Sequence, residues 1–297
     1  MNNNVYIHIG LPKTATSSIQ GFLYHNKSFL EEHGYHYIQT GLNHDLKCHH
    51  DLVWKLDLHK GPSYVEQDIA KYRNEILRDL AAEVEAHKGK NLVVSSELLT
   101  FIGDFRKLKP LLDVFKDKKV KFILNLRRQD RFLESLYQQV VKDGVSLTFD
   151  EWLHRSRGIA NYNMLVSRLL MVTTKKNVII DVFDSRIPHL HPTENFLVSL
   201  GFDRAYLKSF NIENKKENES LSLEQVHKLR VSNSLNPNLR YELMNQFMED
   251  NNSMETEKAQ YLDSEKRQKI IASFHDSNTK MIDMLQIPLL KSRYLLF

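Results

Sequence analysis

Lys13 lies in the run Pro12-Lys13-Thr14-Ala15-Thr16-Ser17-Ser18, which joins an alternating apolar segment to a stretch of helical periodicity. One ammonium group and four hydroxyls on such a seam are suited to holding an anion. A chain that leaves a strand at Gly10 and turns straight into a helix presents several backbone N–H groups at one point. The helix dipole adds partial positive charge there. Lys13 supplies a full charge, and Thr14, Thr16, Ser17 and Ser18 supply hydroxyl donors. The chemistry expected is that of a phosphate cradle; the plainer reading is a polar helix cap with a solvated lysine. The segment departs from the G-x-x-x-x-G-K-[ST] loop, because Pro12 stands where glycine would precede the lysine.

A second group of the same kind follows the segment VKFILNL. Arg127 comes directly after it and Ser135 eight residues later. An arginine at a strand end offers a fixed fork of donors to a phosphate, and a serine on the following helix adds a hydroxyl. Asp130 reads as the N-cap of that helix. Two places carry groups able to take a proton. Glu97 stands just beyond NLVVS, where partial desolvation would raise its pKa toward that of a general base. The histidines His44, His49 and His50 lie in a loop, and neutral imidazole also suits the task. Adjacent histidines diverge, so one of His49 and His50 is expected to face a site. With Cys48 alone and no paired carboxylates nearby, no metal site is expected. His189 and His191 read as ordinary loop histidines.

These groups need a scaffold that brings strand ends together. Five short apolar or β-branched runs, 5–9, 35–38, 91–95, 120–126 and 177–183, read as strands, several buried on both faces. Stretches of helical periodicity at 17–33, 66–88, 130–142 and 162–173 lie between them. The alternation predicts an α/β fold with a central parallel sheet flanked by helices. From about residue 185 to 297 the chain reads as mainly helical, with helices opening at Pro192 and spanning about 222–234, 238–250 and 264–284. One domain over 1–297 is expected.

Composition narrows the partners. The 297 residues carry a formal charge of +4, with 41% hydrophobic and 26% charged residues, which fits a globular protein with an anionic ligand. There is no dense Lys/Arg stripe of the kind nucleic-acid binding needs. A single cysteine excludes an intrachain disulfide. No leader-like start and no long apolar segment is visible, so a cytoplasmic protein without a membrane span is expected.

The run G-x-P-K-T-x-T-S-S after the first strand resembles the 5′-phosphosulfate loop of sulfotransferases that use 3′-phosphoadenylyl sulfate (PAPS). Arg127 and Ser135, within R-(x7)-S and S-x-Y-x-Q-x-x-K-D-G, resemble that family's 3′-phosphate motif. The resemblance implies a P-loop-NTPase-like sulfotransferase fold and PAPS as sulfuryl donor without a metal. It assigns nucleotide contacts to Lys13, Thr14, Ala15, Thr16, Ser17, Ser18, Arg127 and Ser135. Lys13 would stabilise the leaving group, and Glu97 or a histidine, His50 or His49, would be the base. The acceptor would be a hydroxyl or amine, by analogy on a carbohydrate or glycolipid. Trp54 and Tyr64 are candidates to stack on a sugar, whereas Trp152 reads as core. Lys215, Lys216 and Ser220 lie where a late loop closes over the nucleotide in some branches. Two departures stand out. Ala15 replaces the usual glycine, and Ser18 stands where many members carry an adenine-stacking tryptophan. A nucleotide-dependent small-molecule kinase, requiring Mg2+ and ATP, is the alternative, and a binding protein without turnover is a third reading.

Overall fold

The computed structural model describes residues 3–184, 191–207, 221–236, 238–253 and 259–296. Five strands form one sheet: β1 (Asn4–His8), β2 (Tyr35–Tyr37), β3 (Asn91–Ser95), β4 (Lys119–Leu126) and β5 (Val178–Val182). All pair in parallel in the order β2-β3-β1-β4-β5. The five expected runs are these strands, within a residue or two at each end. Because side chains alternate along a strand, β1 serves two cores. Val5 and Ile7 face one layer, with Leu92, Val94, Phe122 and Leu124. Tyr6 faces the other, with Val93 and Ile123.

Helices cover both faces, as a parallel sheet with near-continuous apolar strands requires. Thr16–His25, Lys27–Glu32 and Pro192–Leu200 cover the Tyr6 side through Ile19, Leu23, Leu30 and Phe196. Ile69–Ala86, Gln129–Lys142, Tyr162–Leu169 and Ser264–Leu285 cover the Val5 side through Leu80, Phe132, Val166 and Phe274. The helical C-terminal part therefore packs into the same core layer as the strands. Trp152, on the Phe149–Ser156 helix, is buried there too.

Two local expectations are corrected. The periodic stretch 17–33 is two helices, broken at Asn26, whose side-chain amide donates to the Phe22 carbonyl and competes with the continuing ladder. Asp130 does not cap the helix after β4. That helix begins at Gln129, and the buried Asp130 carboxylate accepts from Arg128 (2.6 and 2.9 Å) and from Arg267 (2.6 Å). Arg267 also donates to Glu134 (2.8 Å), so these acids clamp the Ser264–Leu285 helix onto the Gln129–Lys142 helix. Among the described residues no helix is long and apolar enough to cross a membrane.

Candidate functional site

The strand order reverses its direction of growth at β1, between β3 and β4, and ligands of open α/β sheets bind outside the carboxyl ends at such a point. Three backbone bonds carry the ladders past the strand ends there. Ile9 donates to Ile123 (2.8 Å), Leu11 to Asn125 (3.2 Å), and Ser96 to the His8 carbonyl (3.1 Å). The Lys13 turn, the Glu97 turn and the start of the helix after β4 are thereby fixed around one crevice.

Within the turn, the Thr14 hydroxyl donates to the Leu11 carbonyl (2.6 Å) and is fully buried, so it shapes the loop. Lys13 and Ala15 both adopt left-handed backbone, at φ 65 and 63. That alternation turns successive N–H groups toward one side. From Lys13 to Ser18 no backbone N–H finds an acceptor among the described residues; the first that does is Ile19, bonded to Ala15 (3.2 Å). A helix start leaves four amides without intrahelical partners, and here the run is six. Ser17 is exposed, Ser18 half-buried, and Thr16 buried against Gly10. Gly10 is required by contact: a Cβ there would lie 2.4 Å from Thr16 Cγ2 and 2.7 Å from His8 Nε2.

Arg127 is brought to this turn. Its Nη1 donates to the Lys13 carbonyl (3.1 Å), its guanidinium lies 5.3 Å from the Phe183 ring centre, and its own carbonyl accepts from the buried Tyr162 hydroxyl (2.5 Å). Lys142, at the end of the Gln129–Lys142 helix, adds another cation. Burial pushes the Lys13 ammonium below its ordinary pKa, and the charges of Lys142 and Arg127 push it further. Arg127 is lowered by burial and by Arg131, and Lys142 by burial. Cations crowded at the cost of their own charge are relieved by an anion among them. Ser135 is half-buried on the same helix, and its hydroxyl makes no hydrogen bond among the described residues.

On the β3 side, Glu97 opens a 3-10 turn (Glu97–Phe101) that Thr100 ties to the Gly10 carbonyl (3.3 Å). Gln20, one turn into the first helix, donates to Glu97 Oε2 (2.8 Å) and to Ser95 Oγ (3.2 Å). Ser95 Oγ in turn lies 2.8 Å from His8 Nδ1. His50 presents Nε2 to Glu97 Oε1 at 3.5 Å, while its Nδ1 is held by Ser96 Oγ at 2.9 Å. Sequence reasoning anticipated a carboxyl raised by desolvation. Burial does push Glu97 upward, but the hydrogen bond and charge of His50 and the Gln20 amide outweigh it and hold the group at about 2. Glu97 is therefore an ionised partner beside an imidazole.

His49 occupies a different place. Its Nε2–H donates to Ile38 (2.8 Å), its Nδ1 accepts from the Ser95 amide (3.1 Å), and its ring is fully buried. Both nitrogens hold the frame, and burial lowers the ring's pKa to about 4. His44 is exposed beside Tyr24. Trp54 meets His50 edge-on at 5.6 Å between ring centres. Beyond it lies a cavity of about 340 Å3 that also touches Leu58, His59, Val65 and Lys107. The Tyr64 side chain lies outside the described residues, as do His189, Lys215, Lys216 and Ser220.

Gln20, His8, Ser96 and Cys48 carried no assignment in the sequence. Gln20 and Ser96 each touch a group from a distant segment, and neither contact has a local pattern. Lys142 was visible only as part of the motif beginning at Ser135.

No family model matches the chain. Over 193 residues it is 24% identical to an uncharacterized protein of Archaeoglobus fulgidus, covering 64% of this chain and 52% of that one. The chain thus spans about half the length of that relative. Its structure is similar to that of a sulfotransferase from Alicyclobacillus acidocaldarius, with a TM-score of 0.51 and 14% identity over 99% of each chain. At that identity the likeness is one of fold, and the fold of this chain is sulfotransferase-like.

Proposed function

We propose that the chain is a sulfotransferase that moves a sulfuryl group from PAPS to an acceptor hydroxyl or amine. The observation that carries this reading is the six unpartnered amides of Lys13–Ser18 with Arg127 directly behind them. One anion over the amides and a second at Arg127 and Ser135 match the two ends of an adenosine 3′,5′-bisphosphate. The 5′-phosphosulfate would lie over the turn, with the 3′-phosphate taking donors of Arg127 other than the one on Lys13.

In the transfer, the acceptor oxygen or nitrogen attacks sulfur in line, and the S–O bond to the 5′-phosphate breaks. Negative charge grows on the bridging oxygen, where Lys13 and the turn amides stabilise it. The acceptor proton goes to the Glu97–His50 pair. A carboxylate held at about 2 is a weak base by itself. The imidazole beside it takes the proton on Nε2, the nitrogen it presents to Glu97, and Glu97 stabilises the resulting cation. Gln20 fixes Glu97 to the same helix whose start holds the donor, which keeps base and sulfur in register. The acceptor would enter past Trp54, a flat apolar face suited to a sugar ring.

Calorimetric titration with adenosine 3′,5′-bisphosphate beside ATP-Mg2+ tests the reading. Binding of the bisphosphate in preference to ATP-Mg2+, with transfer of labelled sulfate from PAPS, is expected. Preference for ATP-Mg2+ would replace this reading with the kinase.

A further inference from the structure

The structure assigns a second capacity to the acceptor side: Cys48, His50 and Glu97 form a binding site for a borderline-soft divalent cation of the zinc class. Their three donor atoms, from the single cysteine, an imidazole and a carboxylate, lie within 4.8 Å of one another. His50 Nε2 and Glu97 Oε1 are 3.5 Å apart, long for a hydrogen bond but near the spacing of about 3.4 Å that two ligands take around a tetrahedral zinc.

Each donor is also oriented from behind, as metal ligands characteristically are. His50 Nδ1 is held by Ser96 Oγ (2.9 Å), leaving Nε2 facing inward. Glu97 Oε2 accepts from Gln20, leaving Oε1 facing inward. The Cys48 sulfur accepts from the His50 backbone N–H; burial and the nearby Glu97 carboxylate push the thiol up, so a bound cation displaces its proton. The backbone is fixed on both flanks, since Asn43 bonds to the Cys48 carbonyl (2.8 Å) and His49 to the Ser95 carbonyl (2.7 Å). Cys48 and His50 are buried and Glu97 is partly exposed, so a fourth ligand would have to enter from the Glu97 side. Thiolate and imidazole select zinc, cobalt or copper over Mg2+ or Ca2+.

Among the described residues the other cluster with ligand-type side chains, Glu31, His36 and His87, is already closed. Lys90 pairs with Glu31, and carboxylates occupy both nitrogens of His36. The inference goes beyond the transfer reaction, which uses no metal in the reading above. A cation bound here takes the Nε2 lone pair that would accept the proton, so zinc and turnover compete for the same atom.

The test is titration of the reduced 297-residue chain with Co2+, followed by absorption. One equivalent is expected to produce a near-ultraviolet thiolate-to-cobalt charge-transfer band with the intense visible bands of four-coordinate cobalt. Zinc should erase both, and a roughly thousand-fold excess of Mg2+ should leave them intact. Cys48→Ser should remove the charge-transfer band, and His50→Gln should weaken cobalt binding by about 10-fold or more. Cobalt binding by the wild type without a charge-transfer band, or unchanged binding in His50→Gln, would overturn the assignment. Bisphosphate affinity measured on the same samples reports on folding and on the nucleotide site separately. Failure of the metal site is thereby distinguishable from failure of the sulfotransferase reading.

Discussion

Replacing Arg127 with alanine separates a phosphate ligand from a loop brace. The guanidinium has one donor on the Lys13 carbonyl and lies against Phe183, and it is half-buried among Lys13, Arg131 and Lys142. A hydrogen bond from a charged donor is worth about 1.5–3 kcal/mol. If Arg127 holds the 3′-phosphate as proposed, its loss should weaken bisphosphate binding by about 10- to 140-fold, at about 1.4 kcal/mol per decade. Loss of the bond to Lys13 loosens the turn as well, but that penalty falls on any nucleotide with a 5′-phosphate. The informative quantity is the ratio of affinities for adenosine 3′,5′-bisphosphate and adenosine 5′-monophosphate, measured by calorimetry at fixed ionic strength. The wild type is expected to favour the bisphosphate, and in Arg127→Ala that preference should collapse. Arg127→Lys keeps the charge without the fork and falls between them. If both affinities drop by the same factor and the ratio stands, Arg127 only braces the loop and the two-anion reading is refuted.

Other perturbations probe the same frame. Ala15→Gly relieves a left-handed alanine (φ 63) that costs about 1–2 kcal/mol, partly offset by the freer unfolded glycine, so thermal melting should rise by a few degrees. A lower melting temperature counts against that backbone. Gly10→Ala forces a Cβ against Thr16 and His8 and should destabilise by about 1–3 kcal/mol, read by urea unfolding, with loss of bisphosphate binding. Glu97→Gln should cut sulfate transfer by about 100-fold or more at unchanged bisphosphate affinity; undiminished transfer removes Glu97 from the reaction. His8 and His49 are lowered by burial to about 4 in the folded chain, whereas the unfolded chain takes up those protons near 6.5. Stability is therefore intact above about pH 6.5 and lost as pH falls toward 4, with a limiting slope of about two protons. Urea unfolding across that range checks the sign, and His8→Gln should reduce the slope.

Much of this protein follows from local pattern. Each strand is a short apolar run, and strand-helix alternation leaves few topologies, so the parallel sheet was legible without coordinates. The Lys13 turn was legible because a strand, a turn and a helix start are consecutive in the chain, so its run of amides belongs to that one segment. The placement of Arg127 at a strand end was legible for the same reason.

What joins these segments was decided by tertiary structure. Nothing in the spacing says that Arg127 reaches the Lys13 carbonyl, 114 residues away, and it does so only because β4 lies beside β1. The direction of the Glu97 shift is another case. Burial alone raises a carboxyl, and only the arrival of His50 and Gln20 from other segments reverses the sign. The neighbours His49 and His50 are alike in sequence, yet one ring is locked by backbone on both nitrogens and the other faces Glu97. A lone cysteine gave no expectation of a metal along the chain, and only packing brings Cys48 and His50 next to a carboxylate from beyond β3. Local backbone propensity writes the elements into the sequence, whereas pKa values and ligand sets depend on distances between segments that only packing sets.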